Sequence, residues 1–195
     1  VPSTNQVEHN VVTDPYSVGL TVDSTHSVLV DLSDPDYMPT LWQTSEAPVI
    51  TNNSARSIYE LHVRDFSIGD TTVPEKLRGT YEAFALEDSA GVKQLRELAA
   101  AGMNMVHILP TFDIATIPEK RAEQKVASVP DAGAASSEQQ AAVMAVADED
   151  GFNWGYDPYH YMTPEGSYAA EENQSGANRT ICLLYTSPSP RDATL

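Results

Sequence analysis

Cysteine is nearly absent from this 195-residue sequence, the single one being Cys182, so no intrachain disulfide can form and the redox compartment is left open. Basic residues are scarce too. Lys and Arg number 11 against 28 Asp and Glu, a formal net charge of −17. A surface of that sign repels phosphate backbones and anionic headgroups, which argues against nucleic acid and membrane surfaces as partners and suits a neutral ligand. No window approaches the roughly 20 apolar residues of a membrane-spanning helix. The opening Val1-Pro2-Ser3-Thr4 has neither an initiator Met nor a basic start leading to an apolar run, so any leader is expected outside these residues. The acidic excess is spread over Asp14, Asp23, Asp31, Asp34 and Asp36 and over Asp148-Glu149-Asp150, and it reads as solvation. Three adjacent carboxylates are not a spaced ligand set, so no metal site is expected there.

What is present begins with strand-like punctuation. From about Asn10 to Ile50, β-branched runs such as Ser27-Val28-Leu29-Val30-Asp31-Leu32 alternate with Asp, Pro and Ser, the pattern of short strands between turns. Ser57 to Val63 reads as a strand, Asp88 to Ala101 as a helix and Met105 to Leu109 as a second strand, together one βαβ unit with a right-handed crossover. Asp88 or Ser89 can cap the helix, Val92, Leu95, Leu98 and Ala99 recur at helical spacing, and Gly102 stands where the chain must leave it. Alternation puts Tyr59, Leu61 and Val63 on one face of the first strand and Glu60 and His62 on the other. Val106 and Ile108 follow the apolar face, which sets His107 beside His62 as a structural pair. The stretch from Asp113 to Asp150 is too long for an ordinary connection. Within it, Ser136 and Gln139 offer a capping box for an Ala-rich helix to about Ala147, docked through Val143 and Val146. Its role is either a flap over a site or a solvated insertion.

The segment Gly151-Phe152-Asn153-Trp154-Gly155-Tyr156-Asp157-Pro158 packs three aromatic rings, an amide and a carboxylate between glycines and a proline. Aromatic faces lie against the C–H face of a pyranose, while Asn and Asp take the hydroxyls at its edge, so a short loop holds both halves of carbohydrate recognition. Pro158 holds Asp157 extended. The alternative is an aromatic surface turn packed on a core.

Read on through Tyr168 as GFNWGYDPYHYMTPEGSYA, this stretch resembles the signature of pullulanase-type debranching enzymes in the alpha-amylase superfamily. Tyr59-Glu60-Leu61-His62-Val63-Arg64-Asp65-Phe66-Ser67 is similar to the first barrel strand and its exit loop of that family, and His107-Ile108-Leu109-Pro110 to the end of the second. The resemblance runs from about Thr13 to about Ser167 and is closest to a bacterial secreted form with an acidic, Ala-rich insertion. It implies an α/β fold: the first two strands of a (β/α)8 TIM barrel, preceded by the end of a β-sandwich carbohydrate-binding module. It implies an α-glucan substrate (pullulan, amylopectin or limit dextrin) whose α-1,6 linkages are cut by retaining double displacement. No cofactor is evident, calcium is allowed in the parent protein, and a secreted or cell-surface parent is implied. By resemblance Tyr156 stacks on the sugar at the cleaved position, Asp157 binds nearby hydroxyls, and Asn153 and Trp154 shape the same loop. Tyr168 falls in the turn beyond, Glu165 in a turn, and Glu60 inside the barrel. The nucleophile and the acid/base sit on the family's fourth and fifth strands, so none of these residues is assigned to catalysis.

A complete barrel needs about 250 residues, so a truncated piece is expected: residues 1–50 as module end and linker, 51–181 as the start of the barrel with its insertion at 113–150, and 182–195 as a tail. From Cys182 the text loses the resemblance and looks like translated read-through of a sequencing adapter, and it is set aside from fold reasoning. Isoamylase and glycogen branching enzymes are the rivals within the superfamily, disfavoured by Asn153-Trp154-Gly155-Tyr156 and by the insertion. In a different class stands a non-catalytic starch-binding protein.

Overall fold

Two short apolar runs find each other across the chain. In the computed structural model, which describes residues 3–38 and 49–186, β1 (Ile58–Leu61) lies parallel to β2 (Met105–Ile108), with Ile58 opposite Met105 and Leu61 opposite Ile108. The expected first strand is therefore shorter at its end. His62 leaves the ladder and caps a helix, α1 (Val63–Ser67), its Nδ1 accepting the Asp65 N–H at 3.4 Å. The switch buries Val63 and lays the Phe66 ring on Phe84, centroids 4.0 Å apart. Continued extension would leave both without a packing surface.

The connecting helix forms as its sequence requires. α2 (Ala90–Ala100) starts at Ser89, whose Oγ accepts the Val92 N–H at 3.3 Å, and ends before Gly102 at φ 103°, a backbone state that costs only glycine nothing. The expected pairing of His62 with His107 does not occur. Register sets His107 beside Glu60, with Nδ1 and Oε2 3.0 Å apart on an exposed face, whereas His62 has turned inward with the cap. The polar face of β1 is thus open in this chain; among the described residues the sheet has two strands and closes no barrel.

A second sheet had no forecast. β3 (Phe112–Ile114), directly after β2, runs antiparallel to β4 (Pro158–Pro164), with Asp113 opposite His160 and Ile114 opposite Pro158. Bulges interrupt the pairing on both sides of Asp113. Between the two strands the insertion forms α3 (Glu138–Met144), shorter than expected. The capping box is not made: Ser136 Oγ accepts the Glu138 N–H, but Gln139 donates to the Ala132 carbonyl. Val143 stays exposed and Val146 is half-buried. The insertion is held instead at its base, where Lys125 N–H bonds the Glu149 carbonyl at 2.7 Å and Lys125 Nζ its carboxylate at 2.7 Å.

The N-terminal stretch also departs from expectation. Ser27 to Leu32 forms no strand; the described residues there contain one isolated bridge, Leu20 with Ser27, and Leu29 is fully exposed. Thr21 N–H to the His26 carbonyl and Val28 N–H to the Gly19 carbonyl close a local turn. Residues 39–48 of the proposed linker lie outside the described residues.

α4 (Asn178–Thr186) runs through the segment that sequence reasoning set aside at Cys182. Cys182 is buried, joins Val63, Tyr81, Ile114, Ile117, Tyr168 and Ala169 in the core, and its thiol meets Glu82 at 3.2 Å. In this structure the core therefore extends past Ile181, because the helix presents Cys182 and Leu183 to an apolar surface that would otherwise be wet. Residues 187–195 lie outside the described residues.

Candidate functional site

Residues 151–157 arch over the carboxyl end of the parallel pair. Gly155 presses on Pro110, just past β2, so closely that a Cβ there would stand 3.0 Å from the proline Cβ, and its φ of 85° is left-handed. Both demands select glycine. At the end of β1 His62 holds the other side: its Nε2 lies 2.8 Å from the Asn153 carbonyl and 3.0 Å from the Tyr168 hydroxyl, and its ring leans on Phe152 at 5.4 Å. A carbonyl only accepts, so Nε2 carries the proton; Nδ1, accepting from the Asp65 N–H, is bare. The neutral tautomer is thereby assigned. Sequence reasoning took His62 for a structural residue beneath the site; the structure puts it against the loop itself, and the missed signal is that His-Val-Arg-Asp can be a helix cap as well as a strand.

The four residues expected to meet substrate are brought together in two roles. Tyr156 and Trp154 point their rings outward, 71% and 59% exposed, with Trp154 braced edge-on by Phe152 at 5.4 Å. Asn153 and Asp157 are half-buried and turned to the protein. Asn153 Oδ1 accepts the Gly155 N–H at 2.8 Å and its Nδ2 donates to Thr116 Oγ1 at 2.7 Å, while Asp157 Oδ2 accepts from Thr116 Oγ1 at 3.0 Å and the Asp157 carbonyl from the Ala115 N–H at 3.1 Å. A cleft of about 580 Å³ opens beyond Tyr168, lined by Arg64, Lys76, Arg121 and Glu172 among others, and Tyr156 and Asp157 are not part of its lining. The loop is thus a platform, and what it offers is ring faces beside a pinned carboxylate.

Beneath it lies a buried polar layer. Asp113 Oδ2 and His160 Nδ1 are 2.7 Å apart, His160 Nε2 meets Thr13 Oγ1 at 2.7 Å, and Ser24 Oγ donates to Asp113 Oδ1 at 2.7 Å. Since the carboxylate can only accept, His160 donates from Nδ1. Arg179, wholly buried, reaches Asp113 at 3.3 Å and Glu119 at 2.5 Å. Burial pushes the Glu119 carboxyl up to about 8 while the Arg179 guanidinium pulls it down. This layer ties the residue 13–24 stretch to β3, β4 and the insertion, so the platform rests on a support drawn from the whole chain.

Glu165, expected in a turn, does cap the turn at Gly166–Tyr168, yet it is fully buried. Its two carboxylate oxygens accept from the Ile114 and Ser167 N–H groups at 2.7 and 2.8 Å, and burial outweighs these bonds, raising it to about 7 from an ordinary 4.5. An acid whose folded pKa is raised binds more protons folded than unfolded, so its contribution is present below about pH 4.5 and is lost as pH climbs through about 7. Stability is expected to fall by about 3 kcal/mol across that window, read as the urea midpoint against pH. Glu165→Gln should reduce the slope, leaving the part due to Glu119, and lower the plateau, because its amide NH2 must face one of those backbone donors. A slope unchanged in the variant would refute the assignment.

Comparison with known proteins sets this geometry in context. No protein-family model matches the chain. A chloroplastic pullulanase of Arabidopsis thaliana is 40% identical over 179 residues, which cover 87% of this chain and 18% of that protein. A pullulanase of Klebsiella pneumoniae is 35% identical over 211 aligned positions, covering 87% of this chain and 19% of that one. The crystal structure of PulA from Klebsiella oxytoca superposes with a TM-score of 0.80 at 34% identity, over 95% of this chain and 21% of that one. Over these residues the chain is pullulanase-type sequence. It spans about a fifth of the length of the curated relatives it matches. A further structure, the maltotriose complex of PulA from Klebsiella pneumoniae, matches with a TM-score of 0.81 at 32% identity over 93% of this chain. The described residues of this chain, two small sheets with short helices, superpose on about a quarter of PulA, and no helix among them is long and apolar enough to cross a membrane.

Proposed function

We propose that this chain is the substrate-platform segment of a debranching glycosidase whose complete form hydrolyses α-1,6 linkages in pullulan, amylopectin and limit dextrins with retention. The observation that carries the reading is the loop: Tyr156 and Trp154 present open ring faces next to Asp157, at the carboxyl end of a parallel strand pair, where α/β folds place their sites. In this reading β1 and β2 are the first two strands of a (β/α)8 barrel and residues 1–50 are the end of a preceding β-sandwich module and its linker. Tyr156 takes the apolar face of the sugar at the cleaved position and Asp157 its hydroxyls, with Asn153 and Trp154 shaping the loop. A maltotriose-bound PulA among the similar structures supports an α-glucan as the ligand.

The transition state of retaining hydrolysis needs a nucleophile and a proton donor about 5 Å apart, and no residue of this chain is assigned to either. The purified chain is expected to release no reducing sugar from pullulan, while a protein carrying it at the relatives' full length does so. Sugar release by the chain itself, free of host amylases, would overturn the division of labour and point to a second carboxylate pair. A full-length protein that binds starch without cutting it would instead favour the non-catalytic glycan-binding alternative.

A further inference from the structure

Thr116, in the insertion, sits where one hydroxyl joins the two polar side chains of the sugar platform. Its bonding is determined by elimination. The Gly155 N–H donates to one end of the Asn153 amide, which must be the oxygen, so the other end facing Thr116 at 2.7 Å is the NH2. An NH2 only donates, hence Thr116 Oγ1 accepts there. Asp157 Oδ2, 3.0 Å away, only accepts, hence the single Thr116 proton goes to it. The chain Gly155 N–H to Asn153, Asn153 to Thr116, Thr116 to Asp157 runs in one direction, and reversing any link leaves two donors or two acceptors facing each other.

The same strip of insertion also fixes the Asp157 backbone, through the Ala115 N–H. A carboxylate on a solvent-facing loop would otherwise rotate about two torsions. Held by its backbone and by one oxygen, it has its other oxygen confined to a narrow range of positions on the loop. We propose that Thr116 is a positioning residue that orients the Asp157 carboxylate for the hydroxyls of an α-glucan. This gives the start of the insertion, Ala115 and Thr116, a function in the site that is separate from that of its helix. The inference rests on Asp157 being a sugar contact.

The test uses a full-length protein carrying this segment, assayed on pullulan. Thr116→Val keeps the side-chain shape and deletes the hydroxyl; a loss of about fivefold in kcat/KM is expected, the scale of one ordinary net hydrogen bond. Thr116→Ser restores the hydroxyl and should recover most of the loss, which a merely structural methyl would not allow. In an Asp157→Ala background, Thr116→Val should have no further effect, since its target is gone. Equal activity of Thr116→Val and the parent, equal losses in the Val and Ser variants, or a loss that persists unchanged without Asp157 would each overturn the positioning role. Should Asp157→Ala itself leave kcat/KM unaltered, the sugar-contact reading fails and this inference with it; an impaired Asp157→Ala beside an unimpaired Thr116→Val sinks the inference alone.

Discussion

Replacing Arg179 with methionine is expected to remove about 3–5 kcal/mol of stability, the cost of stripping one partner from a buried ion pair. The guanidinium has no exposed surface. Its Nη1 meets Asp113 Oδ1 at 3.3 Å and the Pro164 carbonyl at 3.5 Å, its Nη2 meets Glu119 at 2.5 Å and the Thr21 carbonyl at 2.9 Å, and its Nε bonds the Gln174 carbonyl. Methionine fills most of the volume and answers none of these acceptors. Lysine keeps the charge but not the fork, so Arg179→Lys should recover only part of the loss. The deficit should be larger at pH 8 than at pH 6, because without the guanidinium Glu119 can escape its buried charge only by taking up a proton, and burial already holds its carboxyl at about 8. Urea unfolding of the Met variant at the two pH values decides the matter. A midpoint within error of the parent, or a deficit that shrinks as pH rises, would show that the pair is not the keystone its geometry describes.

Tyr156→Ala and Tyr168→Ala are expected to fail in opposite ways. The sequence-based reading set Tyr168 in the turn beyond the site, a position of small consequence. In the structure its ring is 1% exposed, meets Tyr81 edge-on at 5.8 Å and His62 at 5.6 Å, and its hydroxyl reaches His62 Nε2. Truncating it opens a cavity at the centre of the core, with a cost of about 3–5 kcal/mol. It also frees the histidine that holds Asn153. Tyr156 has no such contacts, so its truncation should leave the unfolding midpoint unmoved. In a full-length protein it should nevertheless lower turnover on pullulan by roughly ten- to a hundredfold, the equivalent of about 1–3 kcal/mol for an aromatic platform under the reacting sugar. The measurement is a pair of readings, midpoint and kcat, on each variant. Destabilisation by Tyr156→Ala, or unaltered kinetics, would remove Tyr156 from the platform.

The parts of this protein that were legible in its sequence are those whose determinants lie within a dozen residues of each other. α2 is bounded by Ser89 and Gly102 and patterned by Val92, Leu95 and Leu98, and local capping and periodicity suffice for it. The aromatic loop stood out by composition, three rings and two short polar side chains between glycines and a proline, and the fold sets it against the ends of β1 and β2. The boundary at His62 was misread for a local reason too: alternation continues through Val63, and the same residues satisfy a strand pattern and a helix cap. Only the chance to bury Val63 and stack Phe66 chooses between them.

Tertiary structure alone decided the rest. β3 is too short and its pairing with β4 too irregular to register from the sequence, and the buried contact of Asp113 with His160 joins residues 47 positions apart. The polar layer draws on Thr13, Ser24, Asp113, Glu119, His160 and Arg179, none of which stands out among its neighbours. A buried charge has no signature in a one-dimensional text: its sign is visible, but the partner that makes its burial tolerable is known only once the chain has brought the two together. For the same reason Tyr156 and Asp157 could be proposed as sugar-facing residues from the sequence and its family resemblance, whereas Thr116, whose hydroxyl bridges Asn153 and Asp157, became visible only when the fold laid the insertion alongside the loop.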